Sequence, residues 1–363
     1  LANTQSTLTS EERESHARDL ISRDRRSGKL GQNVEKTFPI SDVFINTADQ
    51  DQAILSLKRF FELVLGNPFD TPTKDEQGMF FAKSAALRSS DLARQIGAAI
   101  TTSDGDLLSA GCNDAAKFKG GQYWTGDKPD HRDFKRQFDA NDLVKKGILS
   151  DVLIQLLNGG WLPNKSKDDI EKLSNEIFSD DPASKAAVSL KDSQLMAIIE
   201  YFRSVHAEMS ALMTASRLGI SVKGGTLYCT TFPCHECAKH VVAAGIERVV
   251  YIEPYPKSRV SELYPDSIAI DNPALASSHV SFEPFVGLAP RQYMSLFELG
   301  KIERKTADGR IKQWSAFEAN TRMGQPSAAY LEKEQRFLSE FRTKFEALAG
   351  LASNPSESGE QQK

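Results

Sequence analysis

The 363-residue chain is poor in cysteine, histidine and tryptophan, with 4, 6 and 3 copies, and carries no large excess of charge of either sign. Cys112, Cys229, Cys234 and Cys237 are too few to staple a disulfide scaffold. A formal net charge of -4 argues against a general polyanion binder while leaving room for a local basic groove. No apolar run approaches the roughly 20 residues that span a bilayer, so no membrane partner is expected. The opening LANTQSTLTSEERES is polar and carries acids, unlike a signal peptide, and a cytoplasmic location is expected. A phosphate-binding loop of the form G-x-x-x-x-G-K-[ST] is also missing.

What remains is an ordinary globular composition, 40% hydrophobic and 26% charged, long enough for a full core and two structural units. An Arg-rich segment leads to a short strand at 43–46 and an amphipathic helix bearing Ile54, Leu57, Phe60, Phe61 and Leu65. Pro68 and Pro72 mark a linker. A helix is expected from about 74, ended by Gly97, then strands at 98–102 and 107–111 joined at Asp104-Gly105. The pattern then lapses over 114–190, apart from a helix near 141–157, which reads as an insertion or lid.

Regularity resumes with a helix leading into His206 and another over 207–217. A strand (226–230), a helix (234–244) and a strand (248–252) follow. A further strand is expected within 280–297, which carries EPFVGLAPRQY. A last helix over about 327–349 places Leu331, Leu338, Phe341, Phe345 and Leu348 on one stripe, suited to packing or an oligomer contact. Residues 351–363 read as a disordered tail. Strands alternating with helices indicate an α/β layered domain.

The chemistry concentrates in His206-Ala207-Glu208 and Pro233-Cys234-His235-Glu236-Cys237. One His and two Cys supply three zinc ligands, which leaves the fourth tetrahedral position open, the arrangement of a catalytic zinc. Cys234 and Cys237, three apart, share one face of a first helical turn, with Pro233 where that helix begins. The helix dipole and the metal both favour thiolate. Glu208 sits beside the metal, placed to take a proton from water and pass it on. The bland alternative is a structural zinc knuckle, but it needs a fourth ligand: His235 should face away, and His240 falls at the surface. Asp130-His131-Arg132-Asp133 reads as a charged loop in preference to a second metal site. Tyr123, Trp124 and Tyr255 read first as core.

The H-x-E…P-C-x-x-C pattern resembles that of zinc-dependent nucleobase deaminases. Ala86-Leu87-Arg88-Ser89, Gly97-Ala98-Ala99-Ile100, Gly111-Cys112-Asn113, HAEMSAL and GGTLYCTTFPCHECAKHVVAAGIERVVYIEPYPKS together resemble the deoxycytidylate deaminase branch of the cytidine deaminase superfamily. That resemblance implies a three-layer α/β/α fold with a long insertion and zinc as cofactor. It also implies Glu208 as proton shuttle and Asn113 as the sugar holder. Arg88, Lys117, Lys257 and Tyr255 are further candidates for substrate contact.

FPCHECAK, PYPKS, EPFVGLAPR and the lid-like 20–66 resemble bacterial anti-phage dCTP/dCMP deaminases. The implied domains are residues 1–70, the tail of a P-loop kinase-like domain or a linker, and 71–350, the deaminase with its insertion at about 114–200. The implied partners are a cytosine deoxynucleotide, an inhibitory RNA and further copies of the chain. The competing readings are a polynucleotide base deaminase, of the tRNA or single-stranded DNA type, and a catalytically silent RNA-binding regulator. Slight acidity argues against the former and the intact motif against the latter.

Overall fold

The structure, a computed structural model, describes residue 16 and residues 34–162, 165–178, 193–300, 302–319, 321–323 and 334–342. Most of the Arg-rich segment, the ends of the expected 327–349 helix and the 351–363 tail lie outside these residues. The chain divides into two compact units, one drawn from residues 1–56 and 72–293 and the other from 57–71 and 294–363.

The first unit is built on a six-stranded mixed sheet. Strand β1 (Val43–Phe44) lies apart from it, and helix α1 (Gln50–Val64) runs from this unit into the other. Helix α2 (Lys74–Ala86) then leads to β2 (Gly97–Thr101) and β3 (Leu107–Cys112), an antiparallel hairpin. A two-residue β4 (Asp114–Ala115) opens the inserted region, which holds helices α3 (Ala140–Asn158) and α4 (Lys167–Ile177). The region returns through β5 (Ser204–Val205), which pairs antiparallel with β4.

Next come α5 (Ala207–Leu218), β6 (Thr226–Thr231), α6 (His235–Ala243) and β7 (Arg248–Glu253). Strands β8 (Ile268–Ile270), β9 (Val280–Pro284) and β10 (Gly287–Leu288) complete the unit. The sheet order is β3-β2-β6-β7-β9-β8, with β6 through β8 parallel, while β1 and β10 form a separate antiparallel pair.

Period-two alternation sorts the strand side chains into two cores. Ala98, Ile100, Leu227, Cys229 and Val249 face α5 and α6, joining Ala207, Ala211, Ala215, Ala238 and Val241. Ala99, Tyr228 and Val250 face the opposite way, onto Met79 and Ala82 of α2. Helices on both faces of a central sheet give the three-layer α/β/α architecture with the inserted region, as the sequence indicated.

Three local expectations fail, the first two for non-local reasons. Helix α2 stops at Ala86 and does not run to Gly97. Ser89 donates to the Asn113 carbonyl at 2.6 Å, Ser90 donates to Asp114, and Asp91 accepts from the Ala93 and Arg94 amides. These polar side chains offer the backbone partners that replace a helical ladder. Gly97 instead opens β2, and a larger residue would not fit there, because a Cβ would lie 2.0 Å from the Ala82 carbonyl oxygen. The segment entering His206 is a strand, not a helix, since β4 supplies its hydrogen bonds. Finally, Trp124 is exposed, whereas Tyr123 is buried as expected.

In the second unit, Arg304 donates to the Pro68 carbonyl at 2.7 Å and the Arg322 amide to that of Val64 at 2.8 Å. Residues 334–342 are helical, and Leu338 and Phe341 of the expected stripe are exposed. No helix among the described residues is long and apolar enough to cross a membrane.

Candidate active site

Two helix starts meet at the end of β6. His206 is the N-cap of α5, and Cys234 is the N-cap of α6, one position later than the Pro233 start suggested by the sequence. The Cys234 sulfur accepts the Cys237 amide at 3.4 Å, as a capping side chain does. Ser258 fixes the approach by donating to the Pro233 carbonyl at 2.9 Å. Both helix N-termini favour negative charge where thiolates and a carboxylate stand.

His206 Nδ1 lies 3.3 Å from Cys234 Sγ and 3.4 Å from Cys237 Sγ. The three donor atoms all fall within 4.8 Å of one another, the one such group of metal-ligating side chains found among the described residues. Tetrahedral zinc with bonds of about 2.3 Å to sulfur and 2.0–2.1 Å to nitrogen sets such N···S separations near 3.6 Å. The donor set therefore fits zinc in both type and spacing. The Asp130–Asp133 stretch is a charged loop, with Arg132 paired to Asp130 at 2.7 Å. His240 is exposed, as expected for a surface position.

Glu208, in the first turn of α5, is 5% exposed, and its Oε2 accepts from Cys237 Sγ at 3.5 Å. Burial, helped by the negative charge of Cys234, pushes its carboxyl pKa up. A hydrogen bond from Cys237 holds Cys234 low, at about 4, with His206 adding to the effect against burial. The same bond and burial push Cys237 up. For His206, burial opposes the charged ring, but Cys234, Glu208 and Asp91 around it raise the pKa to about 9. Metal binding displaces protons held in this way.

A cavity of about 200 Å³ opens over the cluster. His206, Glu208, Cys234, Asn113 and Tyr255 all line it. Asn113 is pinned: its Oδ1 accepts the Ile96 amide and its Nδ2 donates to the Arg94 carbonyl, both at 2.7 Å. One N–H and one lone pair are left over for a ligand. Burial raises the pKa of the Tyr255 hydroxyl, with Cys234 adding to the rise and Arg94 opposing it.

The other candidates stand elsewhere. Arg88 and Lys117 line a separate cavity with Lys119, Trp124 and Arg217, where the Arg88 guanidinium lies 4.1 Å from the Trp124 ring centroid. Lys257 is exposed and lines neither cavity. The sequence reading missed Asp91, Arg94, Ile199, Phe202 and Thr231 in the wall. Asp91 and Arg94 were hidden inside the supposed helix, although a charged pair just before Gly97 marks the loop feeding the first strand.

The sequence profile of the cytidine and deoxycytidylate deaminase zinc-binding region matches residues 72–253, which takes in every side chain of the metal cluster. The chain belongs to this deaminase family. Among curated relatives, the deoxycytidylate deaminase of Enterobacteria phage T2 is 33% identical over 101 residues, 28% of this chain and 54% of the phage protein. The human deoxycytidylate deaminase is 43% identical over 47 residues, 13% of this chain and 25% of its own. The chain thus spans at most about half the length of these two deaminases. A cyanophage S-TIM5 dCMP deaminase solved with dCMP and dUMP is 16% identical, with a TM-score of 0.31, over 60% of this chain and 99% of its own. In this zinc-binding family, the His206, Cys234 and Cys237 cluster is a donor set that could hold zinc.

Proposed function

We infer that the protein deaminates cytosine deoxynucleotides, dCMP or dCTP or both, to the uracil forms. Water replaces the exocyclic amine at the C4 carbon, and ammonia leaves. The observation that carries this reading is Glu208, a buried carboxyl with a raised pKa, set against the donor cluster in the wall of the cavity. Zinc held by His206, Cys234 and Cys237 would supply a water whose pKa is lowered to about 7. Glu208 would carry one proton of the attacking water to the ring nitrogen and the other, from the C4 hydroxyl, to the departing amine, work suited to a carboxyl tuned upward by burial. Asn113 holds the sugar. Tyr255 and Phe202 bound the apolar wall against which the base lies.

The deoxycytidylate deaminases among the relatives support a deoxynucleotide over a polynucleotide substrate. The further proposals are a cytoplasmic protein of several copies that depletes cytosine deoxynucleotides during phage infection and is held inactive by an RNA partner. They include a 71–350 deaminase domain after a kinase-like remnant. The test incubates zinc-loaded protein and its Glu208→Ala variant with dCTP, dCMP, CTP, CMP and deoxycytidine, and separates products by chromatography. Uracil product from dCMP or dCTP, absent with the variant, supports the reading. No turnover of any of them by protein carrying zinc refutes it.

A further inference from the structure

Asn113 stands alone between two strands that belong to different sheets. Up to Cys112 the chain is β3, paired with β2, and from Asp114 it is β4, paired with β5. The chain thus changes partner strand at the residue proposed to hold the sugar. Its backbone is tied down there by side chains. The Asn113 carbonyl accepts from Ser89 Oγ at 2.6 Å, and the carbonyls on either side of it share one donor. Gln122 Nε2 donates to the Cys112 carbonyl at 2.6 Å and to the Asp114 carbonyl at 3.2 Å. A single amide group therefore spans Asn113 from both sides.

The intervening sequence, Lys117-Phe118-Lys119-Gly120-Gly121, is what brings Gln122 back. Lys119, Gly120 and Gly121 have φ of 73, 94 and 76°, the left-handed region that glycine enters freely. The Gly120 amide donates to the Lys117 carbonyl at 3.0 Å and the Lys117 amide to the Gly121 carbonyl at 2.9 Å, so that Gln122 pairs antiparallel with Ala116. Gln122 is buried here with Cys112 and Asp114. Its Oε1 accepts from the Arg88 guanidinium and from Cys112 Sγ, the latter at 3.4 Å. Both N–H donors and both lone pairs of the amide are thus in use. Turning the amide over would set its oxygen against two carbonyl oxygens and its NH2 against a guanidinium, so one orientation is fixed. Trp124 seats that guanidinium, with its ring centroid 4.1 Å away.

Resting on the reading of Asn113 as the sugar contact, we propose that Gln122 is a positioning residue for it. By clamping the peptide carbonyls before and after Asn113, Gln122 aims the Asn113 side chain into the cavity. Gln122 itself lines the second cavity and not this one, so it acts without touching substrate. A side chain committed to a ligand works only when its surroundings lock its placement. Ile96 and Arg94 lock the amide of Asn113, and Gln122 with Ser89 locks its backbone.

A double-mutant cycle tests this on zinc-loaded wild type, Gln122→Met, Asn113→Ala and the double variant. The readouts are turnover of dCMP and dCTP and calorimetric binding of dUMP. Methionine fills the volume without donating, and Gln122→Glu, run through the same cycle, keeps the shape and the Arg88 contact while removing the donor. Each single variant should keep its zinc and lose at least about 10-fold in kcat/KM and in dUMP affinity, the scale of one net hydrogen bond. Because Gln122 acts through Asn113, the double variant should be no worse than Asn113→Ala alone. Independent effects would instead multiply to about 100-fold, the signature of a merely structural role, and would overturn the proposal. So would wild-type behaviour of both Gln122 variants or of Asn113→Ala, or failure of both Gln122 variants to fold and hold zinc. Protein that turns over no cytosine nucleotide yet shows the coupled loss of dUMP binding would refute deamination while leaving the positioning role standing. Wild type that binds no dUMP would overturn both.

Discussion

Gly111→Ala tests how the fold aims the site. A Cβ built on Gly111 would lie 2.4 Å from the Ala211 amide nitrogen, 2.7 Å from the Ala207 carbonyl oxygen and 2.7 Å from Ser210 Cβ. The first two are backbone atoms of α5, which no rotamer change can move aside. Ordinary contact begins near 3.4 Å, so α5 must retreat by roughly 1 Å, and overpacking of this kind costs about 1–3 kcal/mol. Against it stands the entropy that alanine removes from the unfolded chain, about 0.4–1 kcal/mol, which alone would stabilise. The steric cost is the larger, so a net loss of about 1–2 kcal/mol is expected.

Helix α5 carries His206 and Glu208 at its start, so the same retreat displaces a member of the metal-fitting cluster and the proposed proton shuttle together. A 1 Å misplacement can cost about 10²-fold in rate. Gly147→Ala is the paired control: it sits inside α3 with nothing within 4 Å of a new Cβ, and should stabilise by up to about 1 kcal/mol. Urea unfolding of both variants, with zinc content and kcat/KM measured on the same preparations, reads all of this. A Gly111→Ala protein as stable as Gly147→Ala, with full zinc and unchanged kcat/KM, would refute the claim that close backbone packing positions the site.

Glu208→Gln should keep about one zinc per chain while losing at least about 10²-fold in turnover, since the amide cannot carry the proton; metal analysis beside a product assay checks both. Cys237→Ser should lose zinc. Chelation of the wild-type protein should lower its Tm by an amount that excess zinc restores and that Cys237→Ser no longer shows. The Asp75–Arg248 pair sets an acid limit. Burial works against the Asp75 carboxylate, but two hydrogen bonds from Arg248, at 2.6 and 2.8 Å, and one from Tyr228 hold its pKa below the usual carboxylate range. Its stabilisation is therefore complete above the unfolded pKa of about 3.9 and is lost as pH falls through the lower folded value. Unfolding free energies of wild type and Asp75→Asn should differ above pH ~4 and converge below it; a difference independent of pH would contradict the assignment.

How far the sequence carried depends on the range of the forces involved. The metal cluster was legible because His206-x-Glu208 and Cys234-x-x-Cys237 are short motifs on helix starts, and local geometry alone brings Cys234 and Cys237 together. The sheet was legible because Thr226–Thr231 and Arg248–Glu253 are β-rich runs bounded by glycine and helix. The α2 boundary was not, since Ser89, Ser90 and Asp91 have the propensity to continue a turn or a helix. Their choice is made by Asn113, Asp114 and Ser204, the last of them 113 residues from Asp91. The same bonds build the cavity wall. Asn113 locks onto the Ile96 amide and the Arg94 carbonyl, and Arg94 reaches Thr231, 137 residues away, so the loop expected as helix is the loop that shapes part of the cavity wall. Spacing therefore reveals the metal-fitting cluster, two of whose three donors, Cys234 and Cys237, lie close along the chain. It conceals the rest of the cavity wall, where Asp91, Arg94 and Thr231 share only the folded geometry.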